Sequence, residues 1–79
     1  MENIEKYGSA FVSTFMVDPS KLENLKYQGI DAWDSVGHMA LIALLEESFT
    51  IEIDIDDIIG FSSYEEGKKI LIKYGVNLS

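Results

Sequence analysis

Ser35 follows Asp34 and precedes His38 by three residues, and a hydroxyl, a carboxylate and an imidazole are the three groups of a hydrolytic nucleophile, its orienter and its base. All three fall within little more than one turn of a helix, however. Helical side chains lean toward the helix N-terminus, so one imidazole cannot align with Ser35 and Asp34 together. No sequence feature supplies an oxyanion pocket, and a chain of 79 residues offers little concave volume. A hydrolase acting in cis is therefore disfavoured, and His38 is expected to be an exposed or rim histidine. A second constellation is Asp54, Asp56 and Asp57 followed by Glu65, which is the twelfth position of a calcium loop counted from Asp54. It fails in the middle, where Ile58 replaces an oxygen ligand and Ile59 replaces the glycine of the sharp turn. No metal site is assigned, and weak divalent-cation binding is the most this acidic cluster supports. The third chemistry treats Ser35 as an anchor. A helix N-terminus presents free N–H groups and partial positive charge, which stabilise a phosphodiester on a serine of the first turn, and no base in cis is needed if another enzyme performs the transfer.

The elements that must position these residues can be read from periodicity. Ile4, Tyr7, Phe11, Val12, Phe15 and Met16 carry amphipathic-helix spacing, and Asp18-Pro19 is expected to end that helix. Ser20 to Asp31 reads as a long connection pinned to the core by Leu22, Leu25 and Ile30. Asp34 is a good N-cap for a second helix with apolar positions Val36, Met39, Leu41, Ile42, Leu44, Leu45 and Phe49. Glu46 and Glu47 stand near its C-terminal end, where the helix dipole disfavours them. The stretch Thr50 to Asp57 alternates like a strand but has no second strand to pair with. It is expected to be an extended loop that drops Ile51, Ile53 and Ile55 into the core, followed by a helical turn over Asp56 to Ile59 closed by Gly60. A last helix starts at Ser62-Ser63 with a capping box to Glu65 or Glu66, buries Tyr64, Ile70, Leu71 and Tyr74, and stops at Gly75. The expected fold is all-α, a single domain over 1–79 with three main helices, one short helix and a long first loop.

Composition narrows the function classes. Six lysines, no arginine and 14 acidic residues give a net charge of −8. That balance repels phosphate backbones, so nucleic acid is not an expected partner. With no cysteine there is no disulfide, thiolate metal site or thiol nucleophile. No signal segment or apolar run long enough to span a bilayer is present, so a cytoplasmic monomer is the expectation. From Tyr27 to Gly67 there is no Lys or Arg, while Asp31, Asp34, Glu46, Glu47, Glu52, Asp54, Asp56, Asp57, Glu65 and Glu66 lie inside that span. Such a field steers a basic partner surface, or simply keeps the protein soluble.

Trp33-Asp34-Ser35-Val36-Gly37-His38-Met39, continuing to Glu46-Glu47-Ser48-Phe49, resembles the D-S-L motif, apolar recognition helix and terminal E-E-x-F of acyl carrier proteins. The likeness extends through Ile51-Glu52-Ile53, the short acidic helix and the Ser-capped last helix, over about the whole chain. It implies a small antiparallel four-helix bundle with Ser35 as the attachment serine for 4'-phosphopantetheine, donated by coenzyme A through a phosphopantetheinyl transferase. Such a carrier is a non-catalytic substrate of that transferase, and it holds acyl, hydroxyacyl or aminoacyl groups as thioesters on the arm's thiol, which accounts for the missing cysteine. Asp34, Val36 and Trp33 would surround the attachment point, with Trp33 either a plug over the loop or a border of the arm. Glu46, Glu47, Glu52, Asp54, Asp56 and Asp57 would meet basic patches on ligase, synthase or transferase partners. Met39, Ile42, Tyr64, Ile70 and Leu71 are read as core rather than as a cleft for an acyl chain. Val36 replaces the family's Leu, and Gly37 and Ala40 stand where housekeeping fatty-acid carriers place acidic residues. Gly37 also costs roughly 1 kcal/mol of helix propensity relative to Ala. With Trp33 and Gly37-His38-Met39, the segment looks more like stand-alone carriers of a specialised bacterial pathway. The alternative from the residues alone is an unmodified acidic helical interaction module.

Overall fold

Glu2 opens the first helix, its backbone N–H donating to the Glu5 carboxylate at 3.2 Å. In the computed structural model, which describes residues 2–78, this helix α1 runs Asn3–Phe15, followed by a 3-10 helix Pro19–Asn24, α2 Ser35–Phe49, α3 Ile55–Gly60 and α4 Tyr64–Lys73. The chain is all-α: among the described residues there is no strand, and the one β pairing is an isolated bridge between Lys26 and Ser63. Among the described residues no helix is long and apolar enough to cross a membrane.

α1 stops before the proline expected to end it. Met16 turns left-handed at φ 56° and its N–H returns to the Val12 carbonyl at 2.8 Å. Met16 is consequently 86% exposed and not part of the apolar stripe. Pro19 instead starts an element: the Asp18 carboxylate accepts from Ser20 N–H at 2.9 Å and the proline ring presets the first turn of the 3-10 helix. The long connection is therefore partly helical, and it is pinned by buried Leu22 and Leu25 as expected. Tyr27 N–H to the Ser62 carbonyl and Tyr64 N–H to the Leu25 carbonyl stitch it to the start of α4.

The core is aromatic. Tyr7, Phe11 and Phe15 line one face of α1. Phe11 meets Trp33 edge-on at 5.5 Å and Tyr64 at 5.2 Å, while Phe15 stacks on Trp33 at 5.1 Å. The Tyr7 hydroxyl donates to the Tyr64 carbonyl at 2.7 Å, and burial pushes its ionisation far up. Gly67, inside α4, leaves room for that hydroxyl and for the Phe61 ring, since a Cβ there would run into both.

Gly37 has the same kind of cause. A Cβ on Gly37 would collide with the Ala32 carbonyl oxygen and press on the Phe15 ring. The absent side chain lets the loop cross directly over the first turn of α2. We expect Gly37→Ala to gain roughly 1 kcal/mol in propensity and to lose about 1–3 kcal/mol in overpacking. The net is a lower urea midpoint, because the obstacle is backbone and cannot rotate away. A raised midpoint would show that the crossing is loose.

Three further expectations change. α3 begins at Ile55, so the alternation of Ile51 and Ile53 breaks there: Ile53 is buried, Ile51 partly so, and Ile55 is 72% exposed. Val36 and Met39 leave the α2 stripe at 79% and 52% exposure, because the buried side of the helix is His38, Leu41, Ile42 and Leu45. His38 is itself buried rather than at the rim.

Candidate functional site

Asp34 has an extended backbone and closes the start of α2 with its side chain, which accepts from Gly37 N–H at 2.8 Å, while its carbonyl accepts from His38 N–H at 2.8 Å. Ser35 is therefore the first helical residue, and its side chain is exposed. The N–H groups of Ser35 and Val36 find no acceptor among the described residues, so the helix end keeps its partial positive charge beside the serine hydroxyl.

The Asp34, Ser35, His38 set does not assemble as a catalytic group. His38 Nδ1 accepts from Trp33 Nε1–H at 2.9 Å and Nε2 meets the Ile58 carbonyl at 2.8 Å, which occupies both ring nitrogens. Asp34 is committed to the helix cap. The imidazole lies between Trp33, stacked at 6.2 Å, and the edges of Tyr27 and Phe61 at 5.2 Å and 6.0 Å. Sequence reasoning missed this seat because its second partner, Ile58, lies twenty residues on.

Trp33 is fully enclosed. The indole presents no surface beside Ser35, and it packs on Phe11 and Phe15 at the end of the loop that leads into Asp34. Val36 flanks the serine and is exposed. Beside Ser35 lies an open groove of about 390 Å³ between α2 and α3, lined by Tyr27, Ser35, His38, Met39, Ile55, Ile58 and Ile59. Apart from the serine hydroxyl and the committed imidazole, its walls are predominantly apolar. Of the five residues read as core, Ile42, Tyr64 and Leu71 are core, Ile70 packs at its edge, and Met39 instead lines this groove.

The six acidic residues divide in two. Glu47, Glu52, Asp54 and Asp56 are exposed. Glu46 is half-buried, and its carboxylate accepts from Ile53 N–H at 2.9 Å, which ties the loop after α2 back to the helix. This explains an acidic residue at the disfavoured end of α2. Asp57 accepts from Lys73 Nζ and from the Tyr74 hydroxyl, both at 2.6 Å, and joins α3 to α4. The Lys73 ammonium, then the Tyr74 hydroxyl, hold its carboxyl below the usual carboxylate range. Glu46 and Asp57 are thus engaged within the fold, and the other four carboxylates face solvent. We expect Glu46→Ala to lose about 1.5 kcal/mol, the lower end for a hydrogen bond to a charged group, and Glu47→Ala less than about 0.5 kcal/mol. Thermal unfolding of the two variants checks this, and equal losses would refute the division.

No cluster of three or more potential metal ligands occurs among the described residues, and Asp54, Asp56 and Asp57 do not converge on one point. No family model, curated protein or solved structure matches this chain.

Proposed function

We propose that this protein is an acyl carrier protein, an antiparallel four-helix bundle whose Ser35 receives 4'-phosphopantetheine from coenzyme A by the action of a phosphopantetheinyl transferase. The observation that carries it is an exposed serine at the first position of an Asp-capped helix, with free backbone N–H groups, no base of its own and an open apolar groove beside it. These residues fit the group. The Ser35 hydroxyl is reachable by a second protein, the N–H groups at the helix start favour a phosphodiester, and the walls formed by Met39, Ile55 and Ile59 suit an apolar chain. When attached, the arm supplies a terminal thiol that holds cargo as a thioester.

The chain's own part is to present and to recruit. The Asp34 cap and the Gly37 crossing fix the start of α2, so Ser35 is offered at one place on the surface. Glu47, Glu52, Asp54 and Asp56 give the negative field for brief docking of basic ligase, synthase or transferase surfaces in the cytoplasm. Incubation with coenzyme A and a broad-specificity transferase, read by intact mass, tests the proposal against an unmodified interaction module, which has no reason to take up a covalent group. Reversing Glu47 and Glu52 to Lys is expected to slow transfer with partner enzymes several-fold at low salt and to leave the fold intact. A rate indifferent to both charge and ionic strength would remove electrostatic docking from the proposal.

A further inference from the structure

The groove beside Ser35 has a floor as well as walls, and His38 lies across it. An indole N–H can only donate. The 2.9 Å contact from Trp33 therefore makes His38 Nδ1 the acceptor and leaves the ring proton on Nε2, which donates to the Ile58 carbonyl at 2.8 Å. One imidazole thus ties α2 to α3 and to the end of the loop ahead of Asp34. Its supports are anchored. Trp33 and Phe61 are fully enclosed, Ile58 packs against the core, and the Phe61 ring meets the imidazole edge-on at 6.0 Å.

The space behind this floor is taken. Trp33 stacks on Phe15, and Phe11 and Phe61 meet it edge-on at 5.5 Å and 6.4 Å. Gly37 and Gly67 gauge how full the interior is. A Cβ on Gly37 would run into the Ala32 carbonyl oxygen and press on Phe15, and a Cβ on Gly67 would run into Phe61 and the Tyr7 hydroxyl. At neither place does the packing admit one further carbon, and an interior so dense takes an inserted methylene only by forcing side chains off their rotamers. A chain reaching inward from Ser35 would first have to break the His38–Ile58 bond, leaving a donor and a carbonyl unpaired, and then displace aromatic rings. The groove itself asks for no rearrangement. It is already open, its volume of about 390 Å³ lies toward the lower end for small-molecule sites, and Met39, Ile55 and Ile59 on its walls are each more than half exposed.

We propose that His38 is the specificity-determining residue of this carrier, a crossbar that bars the bundle interior and confines cargo on the Ser35 arm to the surface groove, which favours short apolar acyl groups over long chains. The inference rests on the carrier reading of Ser35 and concerns only where the cargo comes to lie. A short acyl group against Met39, Ile55 and Ile59 takes apolar surface out of water on both sides. Each carbon beyond the groove's reach stays in solvent and adds nothing. A long chain gains no more from this protein than a short one, and its remainder is left uncovered.

The test loads the protein from acetyl, butyryl, hexanoyl and dodecanoyl coenzyme A with a broad-specificity phosphopantetheinyl transferase. Intact mass comes first: a folded protein that gains no arm from any of them ends the carrier reading, and this inference with it. In the loaded proteins, the methyl signals of Met39, Ile55 and Ile59 are expected to move as the chain grows through the short acyl groups and then to stop. The indole N–H signal of Trp33, the chain's one tryptophan, should stay where it stands in the acetyl form. The thermal midpoint should level off at the same chain length. A dodecanoyl group that shifts the indole or the buried methyls of Leu41 and Leu71, or that keeps raising the midpoint, would overturn the crossbar and leave the carrier reading intact. His38→Ala opens the floor, so its dodecanoyl form should shift the indole where the wild type does not. A folded variant whose indole is indifferent to chain length would show that His38 is not the bar. If His38→Ala fails to fold, the wild-type series decides alone.

Discussion

Ser35→Ala protein, incubated with coenzyme A and a phosphopantetheinyl transferase, is expected to keep its unmodified mass while the wild type gains a single arm. The substitution removes one hydroxyl from an exposed first helical position, and Asp34 still caps Gly37, so stability should change by less than about 0.5 kcal/mol. Loss of modification then reports the missing oxygen and not a missing fold, which circular dichroism checks. Ser63 is the internal control. It too begins a helix, but as the N-cap of α4 its hydroxyl accepts from Glu66 N–H at 3.0 Å and its side chain is half-buried. Ser63→Ala should therefore lose stability, about 1 kcal/mol for an N-cap, and keep the modification. A wild type that stays unmodified with several transferases while folded would end the carrier proposal. A Ser35→Ala protein that still gains the arm would move the attachment elsewhere.

Trp33→Ala carries the largest expected stability loss. Removing a fully enclosed aromatic ring costs about 3–5 kcal/mol, and stripping the donor from His38 adds an unpaired buried acceptor, about 1–3 kcal/mol more. A chain of this size has roughly 4–12 kcal/mol in total at the usual per-residue scale, so the variant should be largely unfolded at 37 °C or close to it. Trp33→Phe keeps the stack on Phe15 and gives up only the indole hydrogen bond and part of the volume, so it should fold with a lower midpoint. Urea unfolding followed by circular dichroism ranks the three proteins. An alanine variant as stable as wild type would show that the loop ahead of Ser35 is held by something other than this ring.

The helix starts were legible because their signals are local. Asp34 and Ser63 announce caps through the residues directly after them, and Gly75, at φ 89°, announces the stop after α4. The spacing of Tyr7, Phe11 and Phe15 gave the buried face of α1 for the same reason. What stayed hidden depends on contacts across the chain. Gly37 reads locally as a weak helix residue but lies against the Ala32 carbonyl, Glu46 reads as a surface charge but accepts from Ile53 N–H, and His38 reads as a rim residue but is enclosed by Ile58 and Trp33. Asp18-Pro19 was ambiguous in kind, since the pair that cannot continue one helix is well suited to begin another. Phe61, fully buried at the end of α3, carries no periodic signal in so short an element.

The pairing of Lys26 with Ser63 has a kinetic side. Leu25, Tyr27, Ser62 and Tyr64 exchange backbone hydrogen bonds across nearly half the chain, and the loop they close contains α2, α3 and the Ser35 site. Helices form from neighbours, but this stitch cannot form until that whole loop has been brought together, and loop closure consumes entropy before the contact rewards it. The stitch is one of several such closures, beside the Tyr7–Tyr64 bond that spans 57 residues, and it is the tighter loop around the region that presents Ser35.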